Sequence, residues 1–212
     1  MEFTANKKWG AIVLSGGKSS RMGQDKATLP FGPELMLQRV VRILSQVVEV
    51  ANTVVVAASA QVLPPLPFEV IVARDKRPYR GPLEGIAGGL RVVPQGVDAV
   101  YATSCDVPLT NPAFVSFMFE RLRATDEIIV AVDGQYRHPL AAIYRPRVLA
   151  AVESLLAADH LSPQFLFELV STQEISIEEL RRVDPDLATL MNLNLPEDYQ
   201  RALELAFPKK RD

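Results

Sequence analysis

Ala11-Ile-Val-Leu-Ser-Gly-Gly-Lys-Ser-Ser-Arg-Met-Gly-Gln-Asp-Lys26 is the stretch on which the reading of this chain turns. The apolar run from Gly10 to Leu14 predicts a short buried strand. It ends at Ser15-Gly16-Gly17, where paired glycines let backbone N–H groups approach a ligand closely. Three cations, Lys18, Arg21 and Lys26, follow within nine residues. A strand, a bare glycine turn and spaced cations suit a polyphosphate: amides cradle its oxygens and side chains neutralise its charge. Two familiar phosphate motifs fail on counting. The Walker loop needs glycine where this chain has Ile12, so Gly17-Lys18-Ser19 is not that loop. The dinucleotide fingerprint starting at Gly16 would need glycine at Lys18 and Arg21. An ordinary strand-to-helix turn on a wet surface is the competing reading. Glycine pairs alone are common, but the longer Gly-Gly-x-x-x-Arg-Met-Gly-x-Asp-Lys pattern is not.

Working outward, 212 residues fit one domain, 1–212, and 48% hydrophobic residues supply ample core. A net charge of -2 gives no global attraction to nucleic acid or anionic membrane. Cys105 is the only cysteine, so no internal disulfide forms, which agrees with a reducing cytoplasm. No apolar run reaches the roughly 18 residues of a membrane span.

Periodicity predicts a helix over Glu34 to about Val48 with Pro33 in its first turn. Strands are expected at Thr53–Ala57 and Phe68–Val72, joined by an extended Pro64-Pro65-Leu-Pro67 link. Arg74-Asp-Lys-Arg-Pro-Tyr-Arg-Gly-Pro-Leu-Glu-Gly85 reads as a basic loop before a helix over Ile86 to about Val93. It suits either a second phosphate or base contact or a solvated charged loop. Ala99–Thr103 reads as a central strand with Asp106 at its carboxyl end, where ligands of open α/β sheets gather. A carboxylate there is a natural Mg²⁺ ligand beside a polyphosphate, though a capping aspartate is the simpler alternative. Asn111-Pro112 should start a helix through about Arg123. Glu127–Val132, the Asp133-Gly134 turn and Tyr136–Tyr144 read as a hairpin. On it, Arg137 suits a phosphate, and His138 is either structural or a base. Helices are expected over Pro146–Ala158, from Pro163 to near Val170, and over Glu197–Phe207, with a short strand at Glu174–Ile177. Cys105 reads as a small buried residue.

Leu14-Ser-Gly-Gly-Lys-Ser-Ser-Arg-Met-Gly-Gln-Asp-Lys26 resembles the amino-terminal signature of the molybdenum cofactor guanylyltransferase family, part of the wider nucleotidyltransferase group with a GT-A-like fold. Asp75 with Gly81-Pro-Leu-x-Gly-Ile86 is similar to the family segment lining the nucleotide pocket. Asp-x-Pro at Asp106 resembles its metal site, and His138-Pro-Leu resembles the segment beside the second substrate. Asn192-Leu-Asn194-Leu-Pro-Glu-Asp resembles a late segment that returns to the metal site. Leu195 stands where the family usually has threonine, and Met191 where it often has an aromatic residue. Many relatives carry asparagine soon after the second strand, where this chain has Ala57-Ala58-Ser59. Gly17 and the Asp25-Lys26 pair favour the guanylyl over the cytidylyl branch.

The resemblance implies a Rossmann-like three-layer α/β/α fold with a predominantly parallel central sheet and a small antiparallel element. The amino-terminal half would bind nucleotide and the carboxyl-terminal half the acceptor. It implies a cytoplasmic Mg²⁺-dependent enzyme that moves GMP from GTP to the terminal phosphate of molybdopterin and releases pyrophosphate. Other molybdenum cofactor proteins are possible partners; nucleic acid and membrane are not. The catalytic set is Arg21, Lys26 and Asp106. Leu14, Ser15, Gly16, Gly17, Lys26, Asp75, Gly81 and Asp106 would bind the nucleotide. Arg137, His138, Asn192 and Asn194 would meet the acceptor, His138 as a pterin contact and not a base. Asp106 and Asn194 would hold the metal. Alternatives are a cytidylyl or other nucleotidyl transfer to a different phosphorylated acceptor, such as a sugar phosphate, and an inactive nucleotide-binding protein.

Overall fold

A computed structural model describes residues 8–16, 25–75, 77 and 80–208. Its main sheet, among the described residues, has seven strands. In chain order these are β1 (Trp9–Leu14), β4 (Thr53–Ala58), β5 (Ile71–Asp75), β6 (Ala99–Ser104), β7 (Ile128–Asp133), β8 (Tyr136–Tyr144) and β9 (Thr172–Ser176). Across the sheet the order is β5-β4-β1-β6-β8-β7-β9. Only β8 opposes its neighbours; the pairings β5–β4, β4–β1, β1–β6 and β7–β9 are parallel. The short β2 (Pro30–Phe31) and β3 (Glu34–Leu35) form a separate antiparallel pair.

The seven helices described are α1 (Met36–Leu44), α2 (Pro82–Leu90), α3 (Pro112–Glu120), α4 (Leu149–Ala157), α5 (Pro163–Leu169), α6 (Ile177–Leu180) and α7 (Pro196–Ala206). The strands' near-continuous apolar runs bury both sheet faces. Ala11 and Val13 of β1 pack with α1, α3 and α6, while Ile12 and Leu14 pack with α2, α4 and α5. This is the expected three-layer arrangement. A third cluster, Leu29, Phe31, Met36, Leu193 and Ala202, joins β2 and α1 to the chain leading into α7.

Several boundaries differ from expectation. Glu34 and Leu35 pair with Pro30 and Phe31 across a Gly32-Pro33 turn, so α1 begins at Met36 and not at Glu34. The strand expected at Phe68–Val72 lies at Ile71–Asp75, because the Val70 N–H turns back to Pro67 O at 3.1 Å. Phe68 is left 94% exposed. α2 starts four residues before the expected Ile86, at Pro82. Its N-cap Gly81 has φ 81°, a left-handed conformation unfavourable for other residues, and Pro82 needs no N–H partner in the first turn. In the hairpin, pairing jumps from Val130↔Ala142 to Ala131↔His138. The Pro139-Leu140-Ala141 run bulges there, since Pro139 has no N–H for the ladder.

α2 lies close against β1 through glycine. A Cβ on Gly89 would fall 2.6 Å from Ile12 Cγ2 and 2.7 Å from its Cδ1, and Ile12 is fully buried. Overpacking costs about 1–3 kcal/mol, which outweighs the roughly 1 kcal/mol helix gain of alanine over glycine. Gly89→Ala should therefore lose about 1 kcal/mol net, read as a lower urea midpoint at unchanged slope.

Candidate functional site

The carboxyl ends of β1, β4, β5 and β6 open into one cavity of about 540 Å³. The ladder continues one residue past the strands: the Ser15 N–H donates to Val56 O at 2.8 Å and the Cys105 N–H to Leu14 O at 2.9 Å. Ser15-Gly16 and Cys105-Asp106 are thereby held side by side at the floor. Ala57, Ala58 and Asp75 form one wall, and Gly81, Pro82 and Gly85 bring the first turn of α2, the positive end of its dipole, to another. Leu140 and Asn192 close the far side.

Lys26 enters from a short 3₁₀ turn, Lys26–Thr28, capped by Asp25, whose Oδ1 accepts from the Ala27 N–H at 2.9 Å. Its ammonium donates to Asp106 Oδ2 at 2.7 Å and to Asn194 Oδ1 at 2.8 Å. The other Asp106 oxygen accepts from the Ser104 hydroxyl. The Lys26 and Asp106 side chains are 15% and 16% exposed, so solvent screens the pair less than a surface ion pair.

The third apolar cluster brings Asn194 to this point. Leu193 is fully buried in it, and its N–H donates to Asp106 O at 2.9 Å. Asn192 and Asn194 flank that anchor, one in the cavity wall and the other on Lys26. Leu195 has no hydroxyl to cap α7, but Asp198 Oδ2 reaches back to the N–H groups of Asn194 at 3.2 Å and Leu195 at 2.9 Å.

Of the residues expected to hold nucleotide, Leu14, Ser15, Gly16, Lys26, Asp75, Gly81 and Asp106 all line the cavity. Gly17 and Arg21 lie outside the described residues. Of the expected acceptor residues, Asn192 lines the cavity, whereas Arg137 and His138 do not. Arg137 faces carboxylates instead, with Nε 2.6 Å from Glu174 Oε1 and Nη1 3.8 Å from Glu168 Oε1. The bulge at Pro139 turns Leu140, not His138, into the wall. Sequence reasoning passed over Ser104, Leu140 and Gln61. Ser104 lies two residues before Asp106, which was a usable signal; Gln61 sits in no motif.

Among the described residues no group of three or more His, Cys, Asp or Glu gathers to hold a metal. Asp106 and Asn194 nevertheless turn two hard oxygens toward one cation, the ammonium. Mg²⁺ is commonly held by one or two carboxylates plus substrate phosphates, so this donor set fits a divalent ion bound with nucleotide. Cys105 is inert by comparison: burial, with Asp106 and Asp25 nearby, pushes its thiol far up.

Residues 11–172 match the family described as MobA-like NTP transferase domain. A curated relative from Carboxydothermus hydrogenoformans, "Probable molybdenum cofactor guanylyltransferase", is 34% identical over 197 residues, covering 91% of this chain and 94% of the relative. The "Molybdenum cofactor guanylyltransferase" of Syntrophotalea carbinolica is 29% identical over 196 residues, covering 90% and 89%. In fold, the chain is similar to molybdopterin-guanine dinucleotide biosynthesis protein A from Archaeoglobus fulgidus, with TM-score 0.75, 21% identity, and 93% and 98% of the two chains covered. A 4-diphosphocytidyl-2C-methyl-D-erythritol synthase from Anaerococcus prevotii also superposes, with TM-score 0.67, 13% identity, and 94% and 96% covered. The fold alone therefore does not choose the base.

His138 provides a test of local burial. Its Nε2 is buried without a hydrogen-bond partner among the described residues, and its ring stands edge-on to Tyr136 at 4.7 Å. Burial lowers its pKa below 6.5, against a smaller opposing pull from Asp133. The folded state thus takes up this proton at lower pH than the unfolded state. The stability this contributes is fully present above pH 6.5 and is lost as pH falls from there through the lower folded-state value. An NMR titration should place the His138 midpoint below 6.5, and His138→Gln should flatten the decline of stability on that acid side.

Proposed function

Since this chain belongs to the MobA-like NTP transferase family, we propose that it transfers GMP from GTP to the terminal phosphate of molybdopterin, with release of pyrophosphate. The observation that carries the reading is the meeting of Lys26, Asp106 and Asn194 at the edge of a cavity floored by Ser15 and Gly16. The curated relatives' names support the guanylyl and molybdenum cofactor assignments.

In the reaction, an oxygen of the acceptor phosphate attacks the α-phosphorus of GTP. The bond from that phosphorus to the α,β-bridging oxygen breaks, and its electron pair leaves with pyrophosphate. A phosphate monoester has a second pKa near 6, so it is largely a dianion at neutral pH and supplies its own nucleophile. The protein's task is alignment and charge neutralisation. The Gly16 backbone N–H holds a phosphate oxygen, and Lys26 neutralises the transferred and leaving phosphates. Arg21 adds a second positive charge. The cavity walls at Asp75, Gly81 and Pro82 receive the nucleoside, with an Asp75 carboxylate available to accept from a guanine N–H edge. We assign Asn192, Asn194, Arg137 and His138 to the acceptor. We assign Mg²⁺ to Asp106 and Asn194; when bound there it lends Lewis-acid charge to the phosphate oxygens. The cytoplasm is the proposed compartment, and other molybdenum cofactor proteins are proposed partners in acceptor delivery.

A pyrophosphate-release assay with each NTP, a divalent ion and molybdopterin tests this directly. Release with GTP is expected; release with CTP alone would reject the guanylyl assignment, and none with any NTP would favour a binder. Asp106→Ala should reduce turnover by at least a thousandfold while the circular dichroism spectrum is retained. Lys26→Met should also lose turnover yet bind Mn²⁺ more tightly without nucleotide, because an ammonium no longer competes for Asp106 and Asn194. Weaker Mn²⁺ binding by Lys26→Met would contradict the metal assignment.

A further inference from the structure

Gln61 is the residue beside the cavity whose role neither the family pattern nor the cavity lining indicates. It follows β4 in the Ala58-Ser-Ala-Gln61 turn, and its carboxamide lies between two separate pieces of the phosphate-binding region. Its Nε2 donates to Ser15 O at 3.0 Å and to the two Asp25 oxygens at 3.0 and 2.8 Å. Its Oε1 accepts from the Ser15 hydroxyl at 3.1 Å and from the Ala58 N–H at 3.2 Å. The reverse amide orientation would set an oxygen against three acceptors, so the assignment is fixed by its partners.

An amide has two N–H donors and an oxygen with two lone pairs, and here all of them are used. Gln61 therefore has nothing left with which to grip a ligand. What it does is bind Ser15, before the glycine pair in sequence, to Asp25, after it. Asp25 then caps the turn that carries Lys26. The turn bearing Gln61 is itself held: Arg74 Nη1 donates to Gln61 O at 2.7 Å and to Ala58 O at 3.1 Å. The ends of β1, β4 and β5 and the Lys26 turn thus share one hydrogen-bonded knot. Its link to Asp25 is charge-assisted, and such links are roughly twice as strong as neutral ones.

We infer that Gln61 is a positioning residue for the triphosphate: by clasping Ser15 to Asp25 it fixes the distance between the Gly16 amide and the ammonium of Lys26. Two groups that must hold one ligand from different chain segments bind it better when their separation is set beforehand, because less ordering remains at binding. This rests on the proposed use of the cavity for GTP. The hydrogen bonds of Gln61 run to Ser15, Asp25, Ala58 and Arg74 and not to Asn192, Arg137 or His138, so acceptor binding should depend on the clasp much less.

The test is equilibrium titration of GTP with Mg²⁺, alongside steady-state kinetics, for wild type, Gln61→Ala and Gln61→Glu. Wild-type binding of GTP checks the underlying reading by itself; without it that reading fails, whatever Gln61 does. Given wild-type binding, both variants should raise the GTP Kd about tenfold or more and leave the KM for molybdopterin within twofold. The isosteric glutamate should do no better than alanine, since it replaces both donors and faces Asp25 with like charge. Adding Asp25→Asn to Gln61→Glu restores a donor opposite an acceptor and removes the repulsion, so the double variant should bind GTP more tightly than Gln61→Glu alone. Thermal unfolding of each variant identifies any general loss of structure. Wild-type GTP affinity in Gln61→Ala, equal weakening of both substrates, or no recovery in the double variant would each overturn the inference.

Discussion

The Lys26 ammonium is 2.7 Å from Asp106 and 2.8 Å from Asn194, and the rest of the site depends on that meeting. The three residues come from the first, middle and last parts of the chain. A cation and a carboxylate removed from most of the solvent are costly unless paired and hydrogen-bonded. Here every participating oxygen of Asp106 has a donor: Oδ2 has Lys26 and Oδ1 has Ser104. The pair is satisfied without ligand, yet it is built from groups that a triphosphate with a divalent ion would also use. On the proposed reading, a nucleotide would arrive at charges already gathered, and only their partners would change.

The scaffold makes this meeting unavoidable. β1 and β6 are adjacent and parallel, so the residues following each, Ser15 and Asp106, end on the same edge. The cluster around Phe31, Met36 and Leu193 then holds the chain before α7 against the chain that follows Lys26. Burial of Leu193 and its N–H bond to Asp106 O orient Asn194. An apolar core beneath the site thereby sets the geometry of its polar surface.

Much of this was legible in the residues. The β1 run is wholly apolar, and Asp106 follows a strand and precedes Pro108, so their positions on the sheet edge could be read directly. The acceptor side was less legible. The Pro139 bulge, which turns Leu140 into the cavity wall and leaves Arg137 beside Glu168 and Glu174, depends on strand register that no local pattern shows. Gln61 was invisible because its role depends on Ser15 and Asp25, 46 and 36 residues away. Arg74 and Asp75 read as loop because they are polar, yet an edge strand accepts polar side chains and β5 includes both. Phe68 was misplaced for the opposite reason: an apolar residue in a turn looks like the start of a strand.

The most direct measurement is a crystal structure with a non-hydrolysable GTP analogue and Mn²⁺, whose anomalous signal identifies the ion. The account predicts one triphosphate lying between the Ser15-Gly16 backbone and Lys26, with the manganese peak on the Asp106 carboxylate. A triphosphate bound away from this edge of the sheet, or a manganese peak that leaves Asp106 paired with Lys26 as before, would contradict it.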